Sequence, residues 1–350
     1  MRVMALIPQD DLRAAQAAAA RYEALGVDGL KTSELAYDPF LPLGVAATVT
    51  EQVELATGIA IAFARSPMVT ACISSDLQRS SGGRFVLGLG SQVKGHNERR
   101  FSVPWSPPVP RLKEYVEALR AIWRCWEKGE TLDFQGQHYR FDLMTPVFSP
   151  KPAGLPMVPV TLAAVGSAMI RLAGRVADGV RLHSFCSRKY MLETLLPELE
   201  KGWGERGMTR DQFEIVGGGY VITGPDDETV SKQFEWVRER LAFYGSTRTY
   251  LPVWAAHGEE ELGLKLHDMS KKGQWKEMAK QLSDDHVRLF CAVGKHDEIT
   301  NAVKARYADV SDTVYVNQVP GIDPQVPAGL IQDMKDLPVL FKGFRNRFED

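Results

Sequence analysis

Ser80-Ser-Gly-Gly-Arg-Phe-Val-Leu-Gly-Leu-Gly-Ser-Gln-Val-Lys-Gly-His96 runs from a polar turn through a short apolar strand, 85–89, straight into a glycine-rich loop carrying Lys94 and His96. A strand with no polar alternation belongs inside a parallel α/β protein, and the carboxyl end of such a strand is where these folds place chemistry. Two phosphate loops fail against its spacing. The dinucleotide fingerprint needs a third glycine where Val93 stands, and the P-loop needs Lys then Ser or Thr after Gly95, where His96 and Asn97 follow. What remains is a strand end whose small residues let a flat ligand approach the backbone, or an ordinary tight strand-to-loop turn.

On both sides of this stretch, apolar runs alternate with helical patterns. Strands are predicted over 2–7, 29–33, 53–63, 85–89, 158–163, 179–183, 213–222 and 313–319, with helices over 12–25, 43–51 and 67–79. After the glycine loop, Leu112, Tyr115, Val116, Leu119, Ile122, Trp123 and Trp126 fall on one face at helical spacing, a face that must pack on a sheet. Eight βα units with near-continuous apolar strands predict a closed (β/α)8 TIM barrel, a single domain over 1–350. Two insertions interrupt it. Residues 131–152 suggest a hairpin and loop over the barrel mouth; residues 244–285 suggest a longer lid, binding loop or oligomer contact with two short helices.

The 350 residues include 42 basic and 44 acidic side chains, a formal charge of −2 with no basic stripe, which argues against nucleic acid as a partner. No apolar run approaches a membrane span, and the first twenty residues are interrupted by Gln9, Asp10, Asp11 and Arg13, unlike a secretory signal. A cytoplasmic protein is expected. Cys72, Cys125, Cys186 and Cys291 form no Cys-x-x-Cys pair and are expected to be reduced, mostly buried thiols.

The loops after the strands carry the candidate chemistry. After the second strand, Glu34, Tyr37 and Asp38 could transfer protons, while Asp38 ahead of Pro39 could equally cap the next helix. The fourth is followed by Gln92 and His96, a group that titrates near neutrality. The fifth leads through Ala164, Val165, Gly166 and Ser167 into a helix start, a ready anion site. His183 and Cys186 after the sixth are too few ligands for a metal, so none is expected. No Gly-x-Ser-x-Gly elbow supplies a hydrolase nucleophile. Phe63, Trp105, Tyr139, Phe185 and Trp254 are candidates for an apolar or aromatic substrate pocket.

The chain resembles the luciferase-like monooxygenases, specifically their deazaflavin-dependent oxidoreductase branch. The resemblance rests on Tyr22-Glu-Ala-Leu-Gly-Val-Asp-Gly29, Glu34 with Asp38-Pro-Phe-Leu-Pro-Leu43, Ile61-Ala-Phe-Ala-Arg-Ser-Pro67 and the stretch from Ser81 to His96. It continues through Leu143-Met-Thr-Pro146, Leu162-Ala-Ala-Val-Gly166, Ala177-Asp-Gly179 and Ala242-Phe-Tyr-Gly-Ser246. It implies a bacterial-luciferase-like barrel that binds coenzyme F420, or alternatively FMN, at the carboxyl end. By the same resemblance, Ala164, Val165, Gly166 and Ser167 would hold the phosphate. A bulge at Gly58, Ile59 and Ala60, with a cis Gly58–Ile59 bond, would back the ring, and Gly90, Ser91, Gln92 and His96 would lie along ring and ribityl chain. The implied reaction is hydride transfer between the deazaflavin C5 and a small organic substrate; the alternative is an FMN-dependent monooxygenase using reduced flavin and oxygen. A homodimer is expected. Where many relatives carry His after the acid of the second strand, this chain has Leu35, which leaves Glu34, His96, Tyr37 and His183, in that order, as acid–base candidates.

Overall fold

Strands apolar on both faces have no surface to offer water, and in the computed structural model, which describes residues 1–349, they close on one another. The barrel strands are β1 (Arg2–Leu6), β2 (Gly29–Thr32), β3 (Glu54–Thr57), β4 (Phe85–Gly90), β5 (Val160–Ala164), β6 (Gly179–Leu182), β7 (Glu214–Gly217) and β8 (Thr313–Tyr315). Each pairs in parallel with its sequence neighbours, and β8 returns to β1, completing the circuit of a (β/α)8 barrel. The predicted fold is the observed one.

Helices α1 (Leu12–Ala24), α2 (Leu41–Ala47), α3 (Pro67–Ser80), α4 (Pro108–Lys128) and α5 (Ser167–Val176) follow the first five strands. Their starts follow local rules: Asp11 accepts from the Arg13 N–H ahead of α1, and Ser66 accepts from the Val69 N–H with Pro67 opening α3. The apolar face of α4 is buried as its spacing predicts, and Gly129 ends the helix in the left-handed region at φ 70°.

Two predicted strands break. The run 53–63 becomes β3, a cis Gly58–Ile59 bond, a two-residue strand Ala60–Ile61 that pairs only with β4, and a turn of 3-10 helix. The run 213–222 breaks after β7 at Gly217, Gly218 and Gly219, all at positive φ. Beyond the break, Tyr220–Ile222 leaves the barrel and pairs with Cys291–Val293, a strand hidden in sequence by its shortness.

The 131–152 insertion contains the expected hairpin, Phe134–Gln135 with Arg140–Phe141. Tyr139 and Met144 anchor it to α4, while Leu143, Val147 and Phe148 stay exposed. Tyr139 sets its ring edge-on to Tyr115 and accepts from Arg111, and Met144 Sδ accepts from the Trp126 indole N–H. The second insertion holds four helices between Leu251 and Arg288 where two were expected. The cysteines divide: Cys186 and Cys291 are buried, with thiols that burial pushes up to about 12, whereas Cys72 is exposed and Cys125 half-buried. Among the described residues no helix is long and apolar enough to cross a membrane.

Inside the barrel, alternate strands contribute side chains in layers. At the amino-terminal end, Arg2 bonds Glu54 at 2.8 Å and also pairs with buried Glu214, joining β1, β3 and β7. Met4, Ala56, Val86 and Val216 form an apolar layer with Tyr315. Toward the mouth, β2, β4, β6 and β8 supply Lys31, Gly88, Arg181 and Tyr315.

Candidate active site

Small residues make the floor of the mouth. A Cβ at Gly90 would lie 2.8 Å from Ile59 Cδ1 and 3.5 Å from Ala163 Cβ, and one at Gly58 would lie 2.6 Å from Lys31 Cε. A side chain at either position would fill the place where a planar group can rest against backbone. Gly88 lies beneath: its Cβ would fall 1.9 Å from the Thr57 carbonyl oxygen and 2.7 Å from Arg181 Nε. Thr57 Oγ1 stitches the bulged strand to β4, donating to the Gly88 carbonyl and accepting from its N–H.

The loop after β2 locks the bulge. Ser33 Oγ donates to the Gly58 carbonyl at 2.9 Å, and the Glu34 N–H donates to the Ile59 carbonyl. Glu34 is buried, its Oε2 accepting from the Ile61 N–H and from Arg65, each at 2.7 Å. Arg65 also reaches Asp38 at 3.2 Å. Burial alone would lower the Arg65 pKa, but the hydrogen bond and charge of Glu34, with the charge of Asp38, raise it overall. Asp38 accepts from the Phe40 and Leu41 N–H groups at the start of α2, the capping role its place before Pro39 suggests.

The phosphate position has the form of an anion site. Gly166 stands at the N-cap of α5 with no side chain capping the first turn, and a Cβ there would meet nothing within 4 Å. The free N–H groups and helix dipole of that turn favour an anion. Ala164 and Val165 lead into it, Val165 accepting from the Tyr190 hydroxyl.

His183 sits beside this loop under the second insertion, with Tyr244 and Tyr250 rings at centroid distances of 4.3 and 4.9 Å. Its Nδ1 accepts from the Phe185 N–H, which assigns the proton of the neutral ring to Nε2. Burial, with a smaller contribution from the charge of Lys31, lowers its pKa to about 4. His96 and Tyr37 are exposed, His96 on the short helix Lys94–Arg99 and Tyr37 on the β2 loop. Gln92 adopts φ 56° and turns back to accept from the Val93 N–H, and half-buried Ser91 accepts from Asn97 through its carbonyl. The structure therefore brings Glu34 and His183 to the mouth in fixed settings. It leaves the side chains of His96 and Tyr37 exposed.

The aromatic candidates separate likewise. Phe63, Phe185 and Trp254 are buried packing groups, Phe185 and Trp254 clustering with Phe290, while Trp105 and Tyr139 are half-buried. Sequence reasoning missed Lys31 and Arg181. Both are charges inside barrel strands, and both follow the same signal, Asp28-Gly-Leu-Lys31 and Asp178-Gly-Val-Arg181.

Three comparisons bear on this arrangement. Residues 2–313 match the family model described as luciferase-like monooxygenase. An uncharacterized protein of Mycobacterium tuberculosis is 44% identical over 308 residues, covering 88% of this chain and 90% of its own length. A 5,10-methylenetetrahydromethanopterin reductase of Archaeoglobus fulgidus is 26% identical over 268 residues, 75% of each chain. Among solved structures, a coenzyme F420-dependent tetrahydromethanopterin reductase from Methanopyrus kandleri superposes with a TM-score of 0.74 at 18% identity, covering 96% of this chain and 97% of that one, a likeness of fold.

Proposed function

The chain belongs to the luciferase-like monooxygenase family and is an oxidoreductase, and we propose that within this family it is an F420-dependent enzyme passing a hydride between a deazaflavin and a small organic substrate. The observation that carries the reading is the coincidence, at one barrel mouth, of the Gly58–Ile59 bulge, the side-chain-free floor at Gly90 and the uncapped helix start at Gly166. An F420-dependent glucose-6-phosphate dehydrogenase of Microbacterium testaceum, 28% identical over 285 residues, supports deazaflavin over FMN.

When bound, the deazaflavin would supply a two-electron hydride carrier; the protein supplies orientation, exclusion of water and polar groups. Gly166 and Ser167 would hold the phosphate through first-turn N–H groups, with Gly58, Ile59, Ala60 and Gly90 backing the ring. Glu34 acts as a positioning residue, because its Oε2 ties Ile61 and Arg65 to the bulge while its N–H holds the Ile59 carbonyl. Neutral His183 keeps Nε2–H as a donor that can hold a substrate oxygen, while Tyr244 and Tyr250 wall that side from water. A neutral imidazole can polarise an oxygen without first giving up a charge.

Titration with F420 and with FMN, each followed by fluorescence quenching, tests the reading. Tighter binding of F420, with a reduced complex that persists in air, is expected. Preferential FMN binding with rapid oxygen consumption would replace this reading with a flavin monooxygenase.

A further inference from the structure

Two cations stand in the lumen just beneath the floor, neither in a salt bridge with a described carboxylate, although the charge of Arg181 is felt at Glu54. Lys31 runs along Gly58, with its ammonium 4.6 Å from the Tyr315 ring centre, and makes no hydrogen bond or ion pair to a described residue. Arg181 is buried; its Nε donates to Thr161 at 2.8 Å and its Nη1 to Tyr315 at 3.2 Å, but its Nη2 has no partner. The lumen carboxylates, Glu54 and Glu214, are engaged at the far end by Arg2. Buried charges are ordinarily paired, since an unpaired one forfeits its hydration without compensation. Lys31 is only partly buried, and its side chain lies against Gly58, in the bulge at the floor of the mouth.

We propose that Lys31, backed by Arg181, is an anion-receiving group in the floor of the mouth that takes one negative charge from the occupant of the site. The proposal rests on the deazaflavin reading for one of its two charge sources and stands without it for the other. Hydride transfer moves one negative charge from donor to acceptor, and the proton follows separately. The occupant that gains the hydride therefore becomes richer by one charge, and a cation beneath it favours that state. A carboxylate on the substrate would supply the same charge.

The groups facing Lys31 are Arg181 of β6, Tyr315 of β8 and His183 beyond β6. Burial, followed by the charge of Arg181, lowers the Lys31 pKa to about 8. Binding of an anion must reverse that direction, because linkage is reciprocal: tenfold tighter binding to the charged amine raises its pKa by about one unit.

The experiment follows the Lys31 amine by NMR of protein carrying ¹³C at the lysine ε carbon, with Lys31→Met identifying the resonance. The unliganded protein is titrated first, then protein with formate, acetate or inorganic phosphate, and protein with oxidised or reduced F420. A pKa near 8 that rises with the carboxylates or phosphate supports the proposal with substrate as the source of charge. A rise with reduced F420 larger than with oxidised F420, together with loss in Lys31→Met of about tenfold in relative affinity for the reduced form, supports it with the ring as the source. Failure of F420 to bind overturns the cofactor reading and leaves the small-anion titrations to decide. An ordinary lysine pKa in the free protein, or no response to any of these ligands, overturns the proposal.

Discussion

Charge on Lys31 opposes folding, and the pH dependence of stability should reveal it. The folded pKa is lowered from the ordinary 10.5 to about 8, so between those values the unfolded chain binds more protons and stability rises with pH. Below about 8 the full cost is present, and Lys31→Met should be more stable than the parent at pH 7 by about 1–3 kcal/mol, with the rise above pH 8 abolished. Urea unfolding of both proteins at pH 7 and 10 measures this. His183 gives a slope in a different window. Its pKa is lowered to about 4, so stability is lost as pH falls from about 6.5 toward 4, and His183→Phe should flatten that limb. Because the charge of Lys31 helps to lower the His183 pKa, Lys31→Met should also move it partway back up. A side chain kept at a cost to stability is where function is expected to override packing.

The elements show why some of this was legible. Asp28, Asp178 and Asp312 each stand just before an even-numbered barrel strand. Each donates its N–H to a carbonyl of the preceding strand, from Val3, Val160 and Ile215, and accepts that residue's N–H through Oδ2. Three residues later come Lys31, Arg181 and Tyr315, so one edge motif sets the register that aims all three into the lumen. The motif is visible in sequence, but its meaning needs strand order, which periodicity alone does not supply. The broken runs at 53–63 and 213–222 look continuous in sequence because local apolar pattern carries no record of which neighbour a strand will pair with. At the start of α5 local rules suffice, and they predict effects of opposite sign. Gly166→Asp supplies a good N-cap in open space at φ −87°, so thermal stability should be unchanged or slightly raised. The same carboxylate repels an anion at that turn, and F420 affinity should fall at least about tenfold. Unchanged affinity in the folded variant would place the phosphate elsewhere. Gly88→Ala has the reverse profile: its methyl would overlap the Thr57 carbonyl, and loss of soluble folded protein is expected.

At the scale of the whole barrel, closure joins strands far apart in sequence, and that is the part a single sequence conveys least. Arg2 lies at the start of β1 and reaches Glu54 of β3 and Glu214 of β7, while Thr313 of β8 donates to Glu214 at 2.6 Å. Read alone, each charge looks like a strand-edge residue facing water; only the closed circuit makes them neighbours. Burial raises the Glu54 pKa even against the charge of Arg2, so removing Arg2 takes the salt-bridge partner from half-buried Glu54 and buried Glu214 and leaves Glu54 only the more distant charge of Arg181. Arg2→Met should therefore cost about 3–5 kcal/mol in urea unfolding at neutral pH, the range for breaking one side of a buried pair. The sign of its pH dependence is fixed as well. Without Arg2 the folded state holds a proton on Glu54 more tightly than the unfolded chain does, so the deficit against the parent should shrink as pH falls from 8 to 5. A deficit independent of pH would mean that Arg2 acts through packing against its neighbours, among them Phe341, whose ring it overlies at 5.7 Å.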